Sequence, residues 1–481
     1  MRFVVVIHSQ QKGFLVALGK LLSRKHEVGF LAGDSDVAAI IRRHIPDAKI
    51  MIEGEGGAKS HADPAARARQ LEEKYSVRMS MLLSHDRALG RGYLFNVDRY
   101  PAIGKSWWPQ QRKLSAMISR FEDAEALYDR FRPDCVISLQ KDQVRYIVAE
   151  HRGIAAYSPA PVKIGERFIW SDDTYLTSKE FLAAIRGNLG KPVEELHEIG
   201  EYAQEAGSKL NHSMVRYSWG RALTDVRRQV MLETYKLARG FRRKDSYAFM
   251  GWVPSILRRP LMYDYFVRHG VRPGELEGRR ICYIPMHLEP EIALLSISPE
   301  FNNSMEMIAW ISKAVPADVT LLIKEQPFSF GVRSKRYYDQ LRQIGNVELA
   351  HPEVTSWQSI DAAIITATIT GTAGTESVIF KKPVLSFGAH QAINLLPSVR
   401  FCDNYESTRT GVDELLSMDA GSPDFEHARR ALYSAQLDTS FELQGFSRTY
   451  KSAEPQDDMA AAALKALAGR LEGFSWTDAS G

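Results

Sequence analysis

Apolar and polar positions follow a strand–helix–strand pattern in the first part of the chain. The continuous apolar run RFVVVI (2–7) predicts a buried strand, helical spacing follows over 14–25, and a second strand is predicted at 27–33. Further strands are predicted at 132–140 and 153–159. This order of elements is typical of a parallel sheet covered by helices.

The pattern changes between about 176 and 270, where strand signals fade and helical spacing carries many basic and aromatic residues. Alternation of strands and helices resumes at 279–291. The successive strands predicted after it lie at 319–327, 346–352, 361–371 and 382–388. The chain beyond 400 is mostly helical in pattern. A second α/β block is therefore predicted.

Two α/β blocks in a chain of 481 residues predict two Rossmann-like domains facing a cleft, since one core rarely extends over such a length. The predicted boundaries are 1–175 for an N-terminal domain, 176–275 for a helical, basic insertion, 276–400 for a C-terminal domain, and 401–481 for a helical tail that packs back on the domains. In sheets of this kind ligands bind outside the carboxyl ends of the strands.

Composition narrows the class of protein. With 44% hydrophobic and 25% charged residues, the chain is typical of a globular protein, and its formal charge of +4 indicates no particular partner. The three cysteines lie far apart, which predicts neither a disulfide framework nor a metal cluster and fits a reducing cytosol. The first apolar run is too short for a signal peptide, and no stretch approaches the ~20 apolar residues that span a bilayer. We therefore expect a cytoplasmic protein.

The stretch TITGTAGTES (368–377) has the composition of a ligand-binding turn. The preceding strand is predicted to end at Thr370, and Gly371 and Gly374 allow a tight turn and a close approach of a ligand to the backbone. The chain has neither a P-loop lysine at the required spacing nor a GxGxxG motif. An ATPase or a nicotinamide dehydrogenase is therefore disfavoured.

A helix is predicted to follow this turn, with Thr372 or Thr375 as its N-cap. Free amides at a helix start favour an anion such as a phosphate. Glu376 is expected in the first helical turn, where its carboxylate can accept hydrogen bonds from vicinal hydroxyls such as those of a ribose. The alternative is a strand–turn–helix connection with good caps and no ligand.

Two other strand ends carry polar residues. Lys324, Glu325 and Gln326 end one predicted strand, and Arg333 follows closely. Strand ends on one edge of a sheet converge, so these cations are expected near the same phosphates; a solvated basic loop is the alternative.

The segment YIPMHLEPE places His287, Glu289 and Glu291 after the first strand of the second domain. A histidine beside two carboxylates is a candidate functional site, because groups with shifted pKa values cluster at such sites. A histidine with a purely structural role is the alternative.

These stretches together resemble the capsular polysaccharide biosynthesis proteins that include the Kdo transferases of capsule assembly. The ordered match covers roughly 280–400, and the first half matches loosely, through 86–101 and 141–154. The matching motifs are PMHLEPE (285–291), KEQPFSFGVRSKRYY (324–338) and TITGTAGTESVIFKKPVLSFG (368–388).

The resemblance implies a GT-B fold, with a CMP- or UDP-linked sugar donor mainly on the C-terminal domain and the acceptor on the N-terminal one. It also implies glycosyl transfer to a bacterial surface glycan or its lipid-linked precursor. The family has a His-Pro pair where this chain has Gln326-Pro327. In related enzymes that histidine contacts the donor phosphate, so either the donor is not CMP-Kdo or Lys324 and Arg333 supply the charge.

Catalytic candidates on the acceptor side follow the first-block strands. His8 comes directly after the first strand and is a candidate general base, since an imidazole group in general titrates near neutral pH; a packed histidine is the alternative. Asp142 and Arg145 are either a base with its orienting partner or a helix-start ion pair. Glu289 and Glu291 are further catalytic candidates. No DxD-like motif stands in a credible loop, and GT-B enzymes can stabilise the leaving phosphate with cations and helix dipoles. We expect no metal and no cofactor besides the nucleotide-sugar substrate.

The segment 239–272 carries eight basic residues against two acidic ones. Docking on the inner face of an anionic membrane, or binding of a lipid phosphate, would use its arginines. The residues chosen for this acceptor or membrane side are Arg242, Arg243, Arg258 and Arg259 of this segment, together with Arg145 of the first block. No known pattern of a nucleic-acid module supports nucleic-acid binding. A solvated helical face with packed aromatics is the alternative.

Two other functions remain open from the sequence. One is a nucleotide-sugar epimerase of the same two-domain architecture, which needs no acceptor. The other is a non-catalytic protein of capsule assembly. Epimerases of this kind tend to be shorter and to lack a long basic insertion, which favours glycosyl transfer.

Overall fold

The computed structural model describes residues 1–8, 10–54, 61–90, 108–139, 142–200, 216–238, 250–419 and 421–476. The chain divides into two compact units. The first unit comprises Met1–Leu83, Pro109–Ile185 and Ala435–Gly481, and the second comprises Ser84–Trp108 and Arg186–Ser434.

The first unit is built on a seven-stranded sheet with the order β14-β6-β5-β4-β1-β2-β3. Its strands are β1 (Arg2–Ile7), β2 (Glu27–Ala32), β3 (Lys49–Ile52), β4 (Cys135–Ser138), β5 (Ala155–Pro161), β6 (Arg167–Ser171) and β14 (Phe441–Glu442). The strands from β3 to β5 run parallel, and β6 and β14 pair antiparallel at one edge. All but the first residue of β1 is buried, as expected for the centre of a sheet covered on both faces.

The second unit has a seven-stranded, fully parallel sheet with the order β13-β12-β11-β8-β9-β10-β7. Its strands are β7 (Gly270–Val271), β8 (Arg280–Pro285), β9 (Val319–Lys324), β10 (Val347–Ala350), β11 (Ala363–Thr368), β12 (Val384–Ser386) and β13 (Val399–Phe401). The apolar side chains of β8, β9 and β11 are buried in its core.

Helices connect and cover these strands. The helices up to the second sheet are α1 (Lys12–Leu22), α2 (Ser35–His44), α3 (Pro64–Tyr75), α4 (Met79–His85), α5 (Gln110–Phe131), α6 (Gln143–His151), α7 (Lys179–Leu189), α8 (Trp219–Ala238) and α9 (Val253–His269). Those that follow are α10 (Ile292–Ile297), α11 (Ser304–Ala314), α12 (Lys335–Arg342), α13 (Ser356–Ala362), α14 (Thr372–Ile379), α15 (Tyr405–Ser417), α16 (Pro423–Thr439) and α17 (Asp457–Ala468).

The C-terminal residues complete the core of the first unit. Helix α17 packs on α1, and its Ala460, Ala463, Leu464 and Leu467 are buried there. The indole of Trp170 on β6 donates to the carbonyl of Ala463 at 2.9 Å. Ala463 follows Trp170 by almost 300 positions. The first sheet is therefore covered partly by residues from a distant part of the chain.

The predicted α/β class with two Rossmann-like sheets is confirmed by these two strand orders. The structure differs in detail at β11, which ends at Thr368 rather than at Thr370. The helical region between the predicted domains contains α8 and α9, which both belong to the second unit.

Candidate functional site

Three neighbouring strands of the second sheet end at one edge and carry the three predicted motifs. Strand β8 lies between β11 and β9, and all three run parallel, so their carboxyl ends open on the same side. Pro285 pairs in register with Lys324, and the amide of Met286 donates to the Lys324 carbonyl at 2.8 Å. The structure thus brings the loops after these strands together.

Arg333 joins two of these loops from a buried position. Its side chain is only 1% exposed, and one guanidinium nitrogen lies 2.6 Å from a carboxylate oxygen of Glu325. A second nitrogen lies 3.0 Å from a carboxylate oxygen of Glu289 and also donates to the carbonyl of His287. The loop after β9 is thereby fastened to the loop after β8.

The two buried carboxylates have further partners. The hydroxyl of Tyr338 donates to Glu325 at 2.6 Å, and the hydroxyl of Ser304 donates to Glu289. Burial alone would lower the pKa of Arg333, but the two carboxylates outweigh that effect and raise the pKa above its usual range.

This arrangement corrects the roles expected for three residues. The guanidinium of Arg333 is committed to carboxylates, so it does not present free positive charge to a phosphate. Glu289 and Glu325 are buried and hydrogen-bonded to Arg333, which suits structural support of the edge rather than acid–base catalysis or donor binding. Glu291 is half-buried and stands at the N-cap position of α10.

His287 ties the loop after β8 to the loop after β11. Its imidazole is buried, and its Nε2 accepts a hydrogen bond from the amide of Ile369 at 3.2 Å, with the Thr368 hydroxyl at 3.5 Å. Burial lowers the pKa of His287 to about 4, so the ring is neutral near pH 7. With Nε2 as acceptor, the ring proton lies on Nδ1.

Helix α14 begins one residue after Gly371, which is its N-cap and has no capping side chain. The expectation that Thr372 or Thr375 caps the helix is therefore wrong. The amide of Gly371 donates to the Thr368 hydroxyl at 2.8 Å, and the amide of Gly374 donates to the Gly371 carbonyl at 3.2 Å. Within the described ranges, the amides of Thr372 and Ala373 have no hydrogen-bond acceptor. These two amides are the helix-start donors available to an anion.

The position of Glu376 also differs from the prediction. Because α14 starts at Thr372, Glu376 is its fifth residue and lies beyond the first turn. Its side chain is half-buried, and its charge adds to the effect of burial in raising the pKa of Tyr283.

Lys324 is the cation of this edge whose ammonium group is positioned to interact with a ligand. It is half-buried, and burial lowers the pKa of its ammonium group to about 8 even though Glu325 acts in the opposite direction. In the part of the chain that the structure describes, its Nζ forms no hydrogen bond or ion pair. The neighbouring Gln326 is exposed, its backbone amide donates to the carboxylate of Glu325 at 2.9 Å, and its carbonyl accepts from the amide of Ser329 at 2.9 Å.

A second polar cluster lies at the carboxyl edge of the first sheet. His8 follows β1, and its Nδ1 lies 3.6 Å from a carboxylate oxygen of Glu53, which follows β3. The other oxygen of Glu53 contacts the guanidinium of Arg145. Glu53 was not among the predicted residues, although its place directly after an apolar run that forms a strand was a signal for it.

Asp142 and Arg145 have the geometry of a helix-start ion pair. Asp142 is the N-cap of α6, accepting from the amide of Val144 at 3.0 Å, and Arg145 lies 3.2 Å from its carboxylate. Burial alone would raise the pKa of Asp142, but the charges of Arg145 and Arg120 outweigh it, and the pKa is lowered. Of the two catalytic candidates in this unit, His8 therefore has the better geometry for a base.

The basic residues expected on the membrane side are less exposed than predicted. Arg258 and Arg259 on α9 are half-buried, and the guanidinium carbon of Arg259 lies 5.7 Å from the ring centre of Tyr217. Arg242 and Arg243 lie outside the described residues. Among the described helices, none is both long and apolar enough to cross a membrane. The same residues contain no cluster of three or more His, Cys, Asp or Glu side chains that could hold a metal ion.

Comparison with known proteins finds solved structures of low sequence identity. No family model and no curated protein matches the chain. A UDP-GlcNAc 2-epimerase from Methanocaldococcus jannaschii is 9% identical, with 91% of this chain and 99% of that one covered and a TM-score of 0.30. A glycosyltransferase from Rickettsia africae is 10% identical over 98% and 99% of the two chains, with a TM-score of 0.29. The β-Kdo 2,7 transferase KpsC from Thermosulfurimonas dismutans is 12% identical over 64% and 88%, with a TM-score of 0.30.

The chain has an α/β fold with two helix-covered sheets, of which the first is mostly parallel and the second fully parallel.

Proposed function

We propose that this chain is a metal-independent glycosyltransferase of GT-B type that uses a nucleotide-sugar donor. The observation that supports it most is the carboxyl edge of the second sheet, where the open amides of Thr372 and Ala373 accompany the uncommitted ammonium group of Lys324. Both features favour an anion, and a sugar nucleotide brings phosphate to such an edge.

In this proposal the phosphate of the donor binds at the start of α14. The amides of Thr372 and Ala373 and the hydroxyls of Thr372 and Thr375 donate hydrogen bonds, and Lys324 supplies positive charge. Glu376 accepts hydrogen bonds from the ribose hydroxyls. Negative charge grows on the phosphate as the sugar leaves, so these groups stabilise the transition state more than the bound donor. No metal and no further cofactor is required for that step.

The first unit supplies the base in this proposal. His8 is the candidate base for the proton of an acceptor hydroxyl, and a carboxylate oxygen of Glu53 lies 3.6 Å from its Nδ1. The motif resemblance supports a bacterial surface polysaccharide or its lipid-linked precursor as the acceptor. It also supports a CMP-activated acidic sugar such as Kdo as the donor, with Lys324 in the place of the missing histidine charge at Gln326; a UDP-linked sugar is the second candidate.

Transfer and epimerisation can be separated in one assay. The full chain is first tested for thermal stabilisation by CMP, UDP, GDP and dTDP. Sugars linked to the nucleotide that stabilises it are then incubated with the protein, with and without a glycan acceptor. Product that requires the acceptor supports the transferase. Interconversion of the nucleotide sugar without acceptor would identify an epimerase, and the absence of any nucleotide binding would favour an assembly protein.

Lys324 gives donor binding a characteristic pH dependence. The protonated ammonium group binds phosphate, and because its pKa in the unbound protein is about 8, affinity should fall as the pH rises above that value, by up to about tenfold per unit. Lys324→Gln should lower affinity about tenfold or more at pH 7 and remove this dependence.

Calorimetric titration with a nucleotide between pH 7 and 9.5 measures this effect, since the phosphate itself is fully ionised over that range. Lys335→Gln is the matched control, because Lys335 is exposed and pairs with Asp339 at 2.7 Å. Equal slopes for Lys324→Gln and the wild type would contradict the assignment.

Glu376→Gln should reduce donor affinity by roughly tenfold or more, because a hydrogen bond to a charged acceptor is worth ~1.5–3 kcal/mol. A dideoxyribonucleotide lacks the ribose hydroxyls, so the wild type should bind it more weakly than the ribonucleotide, and the variant should lose most of this preference. Glu406→Gln, at an exposed helical glutamate, serves as the control. If the variant is folded and keeps the full preference, Glu376 does not bind the ribose.

A further inference from the structure

Helix α8 exposes an unusual amount of apolar surface. Four of its large apolar residues recur at intervals of four, seven and seven positions, which places them in one stripe along the helix. The large apolar side chains of this helix that are 38–62% exposed are Trp219, Leu223, Val230, Met231, Leu232, Tyr235 and Leu237, of which Trp219, Leu223, Val230 and Leu237 form the stripe. Contiguous apolar surface of this kind marks an interaction site.

The rest of the helix is anchored in the second unit. Helix α8 packs against α9, and Ala222 and Glu233 are buried on its inner side. The neighbouring α9 also exposes Leu257 and Leu261. The exposed stripe is therefore presented by a packed helix and borders its buried side.

The exposed charges of α8 are all basic. Among its described side chains, Arg221, Arg227 and Arg228 are exposed, whereas Asp225 is half-buried and Glu233 is buried and accepts from Gln229 at 3.2 Å. A second copy of the chain docking by the same surface would place arginines against arginines. An anionic lipid surface instead satisfies both the apolar side chains and the arginines.

We propose that α8 lies in the interface of an anionic membrane, with its apolar residues inserted among the acyl chains and its arginines at the lipid phosphates. At ~1.5 Å per residue the helix provides a contact about 30 Å long. The inference deepens the proposed function and rests on it for its purpose, since it gives a transferase access to a lipid-linked acceptor. It places the membrane contact on α8 rather than on the half-buried Arg258 and Arg259.

Flotation of the full chain with vesicles tests this proposal without any sugar substrate. The wild type should float with phosphatidylcholine vesicles that contain one third phosphatidylglycerol, and this binding should weaken as salt is raised. Substitution of Trp219, Leu223 and Leu237 by glutamine, or of Arg221, Arg227 and Arg228 by glutamine, should each reduce partitioning by about tenfold or more.

Two controls carry changes of the same kind elsewhere in the exposed surface. Phe401→Gln with Tyr405→Gln removes two apolar groups, against three in the α8 variant, and Arg24→Gln, Arg336→Gln and Arg409→Gln together remove three charges. Both control variants should bind vesicles like the wild type. All variants should keep the nucleotide-induced thermal shift of the wild type, which verifies that they are folded.

Three results would overturn the proposal: no wild-type binding to anionic vesicles, vesicle binding that survives both α8 variants, or an α8 variant that converts a dimer to a monomer while wild-type vesicle binding is absent. The two hypotheses fail separately. Lack of nucleotide binding would refute the transferase and leave the vesicle result intact, and lack of vesicle binding would leave donor binding intact.

Discussion

Replacing Arg333 with methionine is expected to destabilise the second unit by about 3–5 kcal/mol. Methionine approximates the volume of the side chain but leaves the carboxylates of Glu325 and Glu289 buried without their shared cation. An uncompensated charge in a low-dielectric site costs far more than the loss of the ion pair itself. The edge that carries the candidate phosphate site should loosen as well, because Arg333 also holds the carbonyl of His287.

Urea denaturation measures the loss in free energy of unfolding. The transition of the second unit is the one that moves to a higher urea concentration when nucleotide is bound. Arg280→Met is the matched control, since its pair with Asp318 at 2.6 Å is exposed and should contribute ~0–1 kcal/mol. Adding Glu325→Gln and Glu289→Gln to Arg333→Met should recover much of the stability by removing the unpaired charges. A loss below about 1 kcal/mol in Arg333→Met would show that the cluster does not hold the edge together.

Gly371→Val is expected to lower nucleotide affinity by a hundredfold or more. Gly371 has φ −69 and ψ 148, a conformation open to any residue, so the requirement for glycine comes from space and not from the backbone angle. A Cβ atom there would lie 2.7 Å from the Thr368 hydroxyl and 3.3 Å from Cε1 of His287. The loop must therefore shift, and the amides of Thr372 and Ala373 move with it.

Calorimetry with the nucleotide that stabilises the wild type measures the effect, and thermal unfolding verifies the fold. Gly345→Val is the control, because a Cβ atom at Gly345 would meet nothing within 4 Å. Gly371→Ala should have an intermediate effect, since it adds the clashing atom without the branched methyl groups. Wild-type affinity in a folded Gly371→Val variant would place the phosphate elsewhere.

The strands from β8 to β12 of the second sheet could be predicted from the sequence because their apolar runs are continuous, although the predicted ends of β9 to β12 lie two or three residues too late. Convergence of the three motifs then follows from the geometry of a parallel sheet. The partners of Arg333 could not be predicted, since a sequence does not say whether a cation after a strand turns toward ligand or toward the two carboxylates of neighbouring loops.

The local errors have equally specific causes. The hydroxyl of Thr368 accepts a hydrogen bond from the amide of Gly371. The strand therefore ends earlier than predicted, and α14 starts before the predicted N-cap residues. Glu53 pairs with His8 and Arg145 through strand order, because β3, β1 and β4 lie in one sheet although their residues are far apart along the chain. The exposed stripe of α8 was unpredictable because periodic apolar residues normally indicate a buried face.

Hydrogen exchange with and without the stabilising nucleotide tests the central claim, which is that the donor binds at the carboxyl edge of the second sheet. Exchange should slow in the loops after β8, β9 and β11, at 286–291, 324–333 and 369–376, while α2 and α5 of the first unit serve as unaffected references. Slowed exchange in all three loops would support the claim. Protection confined to the first unit, with these three loops unchanged, would contradict it.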